Sequence, residues 1–305
     1  MIDWNSRLDS VLGATSESKI PPNVKLPVLP HAAIEFAQRS KSEDVTAKEL
    51  GSIIESDGGL TCELLKQVNG AASGLTRKIA TAAQAIALLG LKTTKLFVLS
   101  AAVDKAMKTR ESRLIHLKTF WTANLERALF AREFAKLLKA DPDVAFAGGM
   151  LQDFLLPTLA NEMTDHYVDL LAAQSKASER RLDERERQSL KWDHAVAAGQ
   201  LLRQWDFPEE LVACVAYHHH GLRLMADKEI GRSPAAAVAV SSLLPDAIRQ
   251  SPNGLNQLIQ LDRAWPAFDL EAIAGVIEDE LQKMNAPRDT YVTLARRLES
   301  AMATA

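Results

Sequence analysis

Apolar residues recur three and four positions apart along most of the chain, which is the spacing of one helix face. The pattern is clearest in the stretch 113–139, and a shorter example covers 60–68. The apolar members of the longer stretch are Leu117, Trp121, Leu125, Ala128, Leu129, Phe134 and Leu138. Nowhere do β-branched and aromatic residues alternate with polar ones, as in a half-buried strand. The sequence therefore predicts an all-α protein.

Polar residues that favour helix starts divide these stretches. Thr46 stands three residues before Glu49, and Thr81 stands three residues before Gln84. This is the capping-box spacing, in which each side chain binds the other residue's backbone N–H. We therefore predict helices that begin just after residues 46 and 81.

A further helix start is predicted at Asp141-Pro142, which combines an N-cap residue with a proline at the first helical position. We expect this helix to be buried and to carry Gln152 and Asp153. Pro157 should kink or end it, because proline lacks an N–H and clashes with the preceding turn.

Composition and charge narrow the classes of function. The chain has 305 residues, 47% of them hydrophobic, with a formal net charge of −3, so nothing in its charge favours nucleic-acid binding. No apolar run is long enough to cross a bilayer, and the N-terminus does not resemble a signal peptide. Cys62 and Cys214 each fall in an apolar helical pattern. We predict two reduced core thiols in a cytoplasmic protein that binds no membrane.

One polar pair stands out against its apolar surroundings. Gln152 and Asp153 lie within the stretch Gly148–Phe154, and a buried carboxylate is costly unless it is paired, hydrogen-bonded or metal-bound. The candidate partners are His194 and the run His218-His219-His220. We interpret His220, beside a glycine, as an exposed helix-end residue.

The most charged segment covers residues 174–189, where the signs of the charges alternate. Such a segment is typical of a solvated helix face, and we assign it no binding role. The common catalytic and phosphate-binding motifs are also missing: there is no GxGxxG, P-loop, GxSxG or HExxH sequence.

Taken together, several stretches resemble the HDOD domain, the HD-related output domain of bacterial signalling proteins. The matching stretches are Leu26–Pro30, Ile53–Thr61, Leu64–Ala71, Ala85–Gly90, Phe120-Trp121, Gly149–Asp153, Asp193–Gly199, Trp205–Glu209 and His218-His219. The resemblance implies a multi-helix bundle and an HDOD-like domain over 20–225. The pattern of elements itself predicts an N-terminal helix or leader over 1–19, a seam near 108–113, and a C-terminal helical portion over 226–305 that packs on the same body.

HDOD domains resemble HD-type metal-dependent phosphohydrolases, and the resemblance implies where metal ligands would lie. The first histidine would fall within 121–124, best at Ala123, and the histidine of the His-Asp pair is replaced by Gln152. A late aspartate would fall near Val240-Ser241, where none is present. The positions that keep a ligating side chain are Asp153, His194, His218 and His219.

Because Ala123, Gln152 and Ser241 cannot replace the lost ligands, we expect no bound metal, no other cofactor and no catalytic residue. The remaining acid and imidazoles are interpreted as a buried hydrogen-bonded cluster. The alternative is that three of them still hold an ion such as zinc.

Three functions remain open on the sequence. The first is a non-catalytic regulatory module in signal transduction, which binds a signalling protein or a small ligand. The second is a divergent HD-type hydrolase that acts on a nucleotide or cyclic nucleotide, and the third is a structural scaffold. The loss of ligands favours the first over the second, because phosphoester hydrolysis at such a site needs a firmly held metal.

Overall fold

The computed structural model describes residues 2–13, 19–70, 78–108, 112–176, 179–284 and 291–302. Across these residues the chain forms α-helices and a 3-10 helix and contains no β-strand, which confirms the predicted all-α class. None of the helices in these ranges has the length and apolar character that a membrane span requires.

The helices are α1 (Trp4–Leu12), α2 (His31–Arg39), α3 (Ala47–Glu55), α4 (Gly58–Val68), α5 (Ala82–Leu89), α6 (Leu91–Lys108), α7 (Leu117–Leu138), α8 (Pro142–Leu151), α9 (Leu156–Glu162), α10 (Thr164–Ser175), α11 (Leu182–Leu190), α12 (His194–Gln204), α13 (Glu209–Ala216), α14 (Pro234–Ser241), α15 (Gly254–Ala264), α16 (Leu270–Lys283) and α17 (Leu294–Met302). The 3-10 helix covers His218–Ala226, between α13 and α14.

The chain divides into two compact units. The first unit contains Met1–Lys25, Glu111–Leu201 and Pro208–Ala305, and the second contains Leu26–Arg110 and Leu202–Phe207. In the second unit the threonine half of both predicted capping boxes forms: the hydroxyl of Thr46 accepts from the N–H of Glu49 at 3.1 Å, and that of Thr81 accepts from the N–H of Gln84 at 3.2 Å. The Gln84 side chain accepts from the N–H of Ala80 at 3.0 Å instead of that of Thr81.

The first unit has a core in which α7, α8 and α14 pack closely, and all eight residues of α14 are buried. Aromatic side chains extend this core: the rings of Phe134 on α7 and Phe268, just before α16, lie 5.2 Å apart and nearly perpendicular. This is the favoured edge-to-face arrangement.

The close approach of α7 and α8 requires a glycine. A methyl group at Gly149 would lie 2.6 Å from the Cα of Ala128, which is closer than real side chains come to backbone. The helix backbones therefore approach more closely than any side chain at residue 149 permits. This approach places the end of α8 beside the middle of α7, where the candidate site lies.

Four expectations need correction. The helix that begins at residue 142 ends at Leu151, so Gln152 and Asp153 lie in the turn that follows it. Pro157 lies in the first turn of α9, where a missing N–H costs nothing, and it therefore helps to start a helix rather than to end one. Cys62 is exposed, because it lies on the outer face of α4, while Cys214 is buried as expected.

The fourth correction concerns the charged segment 174–189, in which residues 177 and 178 lie outside the described part. Asp183 and Glu186 on α11 are fully buried rather than solvated. They share a helix face with the buried Leu182. Arg181 and Arg187 of the same segment pair with Asp183, whereas Glu186 bonds to Tyr167 and His194 outside it.

A buried carboxylate on α7 attaches the C-terminal segment. One oxygen of Glu126 accepts from the hydroxyl of Tyr291 at 2.6 Å, and the other accepts from the N–H of Leu294, the first residue of α17, at 2.7 Å. The guanidinium of Arg297 lies 5.7 Å from the centre of the Tyr291 ring. Burial raises the pKa of Glu126 to about 7, although both hydrogen bonds favour the carboxylate.

We predict that Gly149→Ala lowers the free energy of unfolding by about 1–3 kcal/mol, because the added methyl group must push α7 and α8 apart. Urea unfolding followed by circular dichroism measures the change. Gly275→Ala is the matched control: Gly275 lies in α16 with nothing within 4 Å of an added methyl group. This control should gain up to about 1 kcal/mol from helix propensity. Equal effects of the two substitutions would contradict the close-approach argument.

The raised pKa of Glu126 predicts a pH-dependent stability. The unfolded carboxyl titrates near its ordinary 4.5 and the folded one near 7, so between these values the folded state holds the extra proton. The contribution of Glu126 to stability therefore falls as pH rises through this window, by on the order of 3 kcal/mol.

In Glu126→Gln the uncharged amide can accept a hydrogen bond from the N–H of Leu294 and donate one to the hydroxyl oxygen of Tyr291. The stability of this variant relative to wild type should therefore rise between pH 5 and pH 8, as measured by urea unfolding at each pH. A stability difference that does not change with pH would contradict the raised pKa.

Candidate functional site

One carboxylate and three imidazoles converge in the first unit. Asp153 comes from the turn after α8, His194 is the first residue of α12, and His218 and His219 begin the 3-10 helix. One potential ligand atom from each lies within 4.8 Å of the others. All four side chains are buried, and the most accessible, His219, is 6% exposed. The four residues that the sequence singled out therefore form one cluster, which we call the Asp153 cluster.

The two oxygens of Asp153 face different partners. Oδ1 lies 3.1 Å from Nε2 of His194 and 3.2 Å from Nε2 of His218. Oδ2 accepts hydrogen bonds from Arg127 at 2.7 Å and from the Gln250 amide at 3.0 Å. Burial alone would raise the pKa of Asp153, but the contacts with His194, His218 and Arg127 hold it well below its ordinary value. Asp153 is therefore a carboxylate.

His194 is fixed by a second buried acid. Its Nδ1 and its main-chain N–H both donate to Oε2 of Glu186, at 2.6 Å and 3.0 Å, and the other oxygen of Glu186 accepts from the Tyr167 hydroxyl at 2.7 Å. Burial opposes protonation, yet Glu186 and Asp153 together raise the pKa of His194 well above its ordinary value. His194 is therefore an imidazolium that donates from both ring nitrogens.

The other two imidazoles have different roles. Nδ1 of His218 donates to the carbonyl of Val215 at 2.7 Å, which directs its Nε2 towards Asp153. Nε2 of His219 lies 2.9 Å from Nε2 of His194. Burial, with His218 and His194 nearby, lowers the pKa of His219 well below its ordinary value. A neutral His219 is then a second acceptor for the single Nε2–H of His194, which also faces Oδ1 of Asp153.

Arg127 of α7 joins the cluster to the segment after α14. One of its terminal nitrogens donates to Asp153, and the other donates to the carbonyl of Leu244 at 3.1 Å and to Asp246. The Arg127 side chain is only 2% exposed. A buried guanidinium requires compensation by acids, and Asp153 and Asp246 supply it.

The positions expected to have lost their ligands supply none at the cluster. Ala123 is a buried apolar residue of α7, and Ser241 donates its hydroxyl to the carbonyl of Val238 at 2.8 Å. Gln152 is buried, and its amide has no hydrogen-bond partner among the described residues. His220 is exposed and its Nδ1 lies 3.1 Å from the carbonyl of Tyr217, the helix-end contact that we expected.

The model of one protein family, the HDOD domain, matches residues 26–221. The chain belongs to the HDOD domain family. A curated relative, an uncharacterised protein of Treponema pallidum (strain Nichols), is 23% identical over 199 residues. That match covers 64% of this chain, and the chain spans only 38% of the relative's length.

Solved structures agree in fold with this HDOD protein. An HDOD domain protein of unknown function from Geobacter sulfurreducens is 18% identical with a TM-score of 0.58, and the match covers 92% of this chain and 95% of that one. A candidate phosphohydrolase from Shewanella amazonensis SB2B is 20% identical with a TM-score of 0.58, covering 91% and 86%. A candidate signal transduction protein from Marinobacter aquaeolei VT8 is 17% identical with a TM-score of 0.55, covering 99% and 64%.

The sequence of this HDOD protein did not reveal four of the site's residues, Arg127, Glu186, Asp246 and Gln250. Glu186 stands four positions after Leu182, an apolar residue in the charged segment. Residues four apart share a helix face, so this spacing was a signal that Glu186 could be buried. Asp246 lies five residues after Ser241, close to where the late aspartate of HD-type enzymes was expected. No local pattern marks Arg127 or Gln250, whose partners are distant in the chain.

The Asp153 cluster has enough ligand atoms for one metal ion, although it lacks part of the ligand set of HD-type enzymes. Three imidazoles and a carboxylate suffice in number and type for zinc. The Nδ1 atoms of His194 and His218 are anchored by an acid and a carbonyl, as in metal-bound imidazoles. The HD set itself is incomplete, because Ala123 and Gln152 supply no imidazole.

We predict that Asp153→Ala lowers the free energy of unfolding by about 3–5 kcal/mol, because it leaves Arg127 and the imidazolium of His194 without their shared acid. Thermal unfolding measures the effect, with the exposed Asp169 of α10 as the matched position: Asp169→Ala should be nearly neutral. If hydrogen bonds hold the cluster, EDTA leaves the wild-type melting temperature unchanged. A drop of several degrees in EDTA that zinc or manganese reverses would mean that an ion holds it.

Proposed function

We propose that this HDOD protein is a non-catalytic regulatory module that binds a signalling protein or a small ligand in the cytoplasm. The observation that carries the proposal is the closure of the Asp153 cluster. All four of its side chains are buried, and they are bonded to one another and to Arg127, Glu186 and Gln250. A phosphoester has no exposed acid or imidazole to meet there.

Chemistry supports the same proposal. Metal-dependent hydrolysis requires an ion that polarises the phosphoryl group and activates water, with an open coordination position for the substrate. In this chain Gln152 and Ala123 stand where two ligating imidazoles would be needed. Asp153 and His194 bond to each other and to Arg127 and Glu186, so the cluster ties the turn after α8, α12 and the 3-10 helix together as a structural element.

The regulatory part of the proposal rests on the family and on surface chemistry. HDOD domains are output domains of signalling proteins, and the Marinobacter structure of similar fold is named as a candidate signal transduction protein. A formal net charge of −3 offers no electrostatic attraction to nucleic acid or to anionic lipid. The expected partner is therefore a protein surface or a small molecule.

A metal-dependent phosphohydrolase is the second candidate, and one specific observation favours it. The Nε2 atoms of His194 and His218 face Oδ1 of Asp153, that of His219 lies beside His194, and two of the imidazoles are anchored at Nδ1. The Shewanella protein of similar fold is named as a candidate phosphohydrolase.

We predict that the purified protein does not hydrolyse mono-, di- or cyclic nucleotides in the presence of manganese, magnesium, iron or zinc. The matched control is Asp153→Asn, which keeps the size of the side chain and removes its charge. Phosphate release and chromatography of the nucleotides measure turnover. Turnover by wild type clearly above that of the control would replace the regulatory proposal with the hydrolase.

A further inference from the structure

The guanidinium of Arg127 lies in a pocket lined by oxygen atoms. Its terminal nitrogens contact Oδ2 of Asp153 at 2.7 Å, the carbonyl of Leu244 at 3.1 Å, and Oδ2 of Asp246. The two acids are also buried, at 1% and 8% exposure. A fourth oxygen is close by: Gln250 donates its amide N–H to Oδ2 of Asp153, and its own carbonyl oxygen is buried with no partner among the described residues.

The oxygen atoms around Arg127 differ in chemical type from the atoms on the other side of Asp153. Oδ1 faces imidazole nitrogens, whereas Oδ2 shares its surroundings with a second carboxylate, a backbone carbonyl and an amide. The carboxylate of Asp153 therefore lies between a nitrogen-rich side and an oxygen-rich side. Carboxylates bridge neighbouring ions in this way in two-metal sites. Oxygen donors of this type select manganese, magnesium or calcium rather than zinc.

We propose that Arg127 is a built-in cation, which occupies a divalent-metal position between Asp153 and Asp246 and keeps it closed. Arginine stays charged at any pH that the protein tolerates, so its guanidinium neutralises the two acids permanently. An ion on the oxygen-rich side would have to displace it. Without the guanidinium, Asp246 and the Oδ2 side of Asp153 would lose the cation that they share, and a divalent cation is the smallest group that could replace it for both.

The decisive variant is Arg127→Met, which keeps the apolar stem and removes the charged head. Arg132→Met is the matched control, since Arg132 lies on the same helix, is 26% exposed and contacts Glu133 and Glu280 rather than the cluster. Equilibrium dialysis against manganese, followed by metal analysis, gives the number of ions per chain. We expect about one more bound ion in Arg127→Met than in wild type or the control, with a melting temperature that rises with manganese concentration.

Second-site variants locate the ion. In the Arg127→Met background, Asp246→Asn should abolish the additional manganese, while His219→Gln on the nitrogen-rich side should leave it in place. Manganese binding that persists without Asp246 would overturn the assignment, as would wild-type protein that already holds an ion through Asp246. A folded Arg127→Met protein that takes up no additional manganese would overturn it too.

The variant's folding is itself informative. If Arg127→Met is unfolded in EDTA, recovery of its helical circular dichroism on adding manganese supports the proposal, because the ion then supplies the missing charge. An unfolded variant that manganese does not rescue counts against it. Metal binding by Arg127→Met does not depend on whether wild type hydrolyses nucleotides, so this proposal and the proposed function can fail separately.

Discussion

The buried ion pair between Arg127 and Asp153 is the interaction on which the first unit depends. Burying either charge alone would cost several kcal/mol, so each is tolerated only in the presence of the other. The pair also contacts the residues around it: Asp153 lies against the Nε2 atoms of His194 and His218, and Arg127 donates hydrogen bonds to Leu244 and Asp246. Segments that are far apart in the sequence are thereby fixed to the middle of α7.

Successive residues of α7 hold different parts of the chain. Glu126 binds the segment that leads into α17, and Arg127 binds the turn after α8 and the segment after α14. Neighbouring positions on a helix point about 100° apart, so one turn of α7 serves two buried polar networks. The close approach at Gly149 makes this possible, because it brings the turn after α8 within hydrogen-bond reach of Arg127.

Local patterns in the sequence were sufficient for several helix starts and for half of the site. The caps at Thr46 and Thr81 and the proline start at Pro142 depend on neighbours within a few residues, so the sequence displays them directly. Asp153 and the histidines stood out because they interrupt apolar stretches. Arg127 did not, since its partner Asp246 lies 119 residues away, and Glu186 was hidden among exposed charges. Burial of a charge is decided by tertiary partners, which no local spacing encodes.

The attachment of Asp246 and Gln250 to the cluster has a consequence for how the domain is delimited. The HDOD match ends at residue 221, yet Arg127 and Asp153 take hydrogen-bond partners from residues 244–250, and Glu126 takes both of its partners from residues 291–294. A protein shortened to the matched region would leave Glu126 without both of its hydrogen-bond partners, and Arg127 without Asp246 and the carbonyl of Leu244. The unit that folds is therefore larger than the unit that sequence similarity outlines, and the C-terminal helices belong to its core.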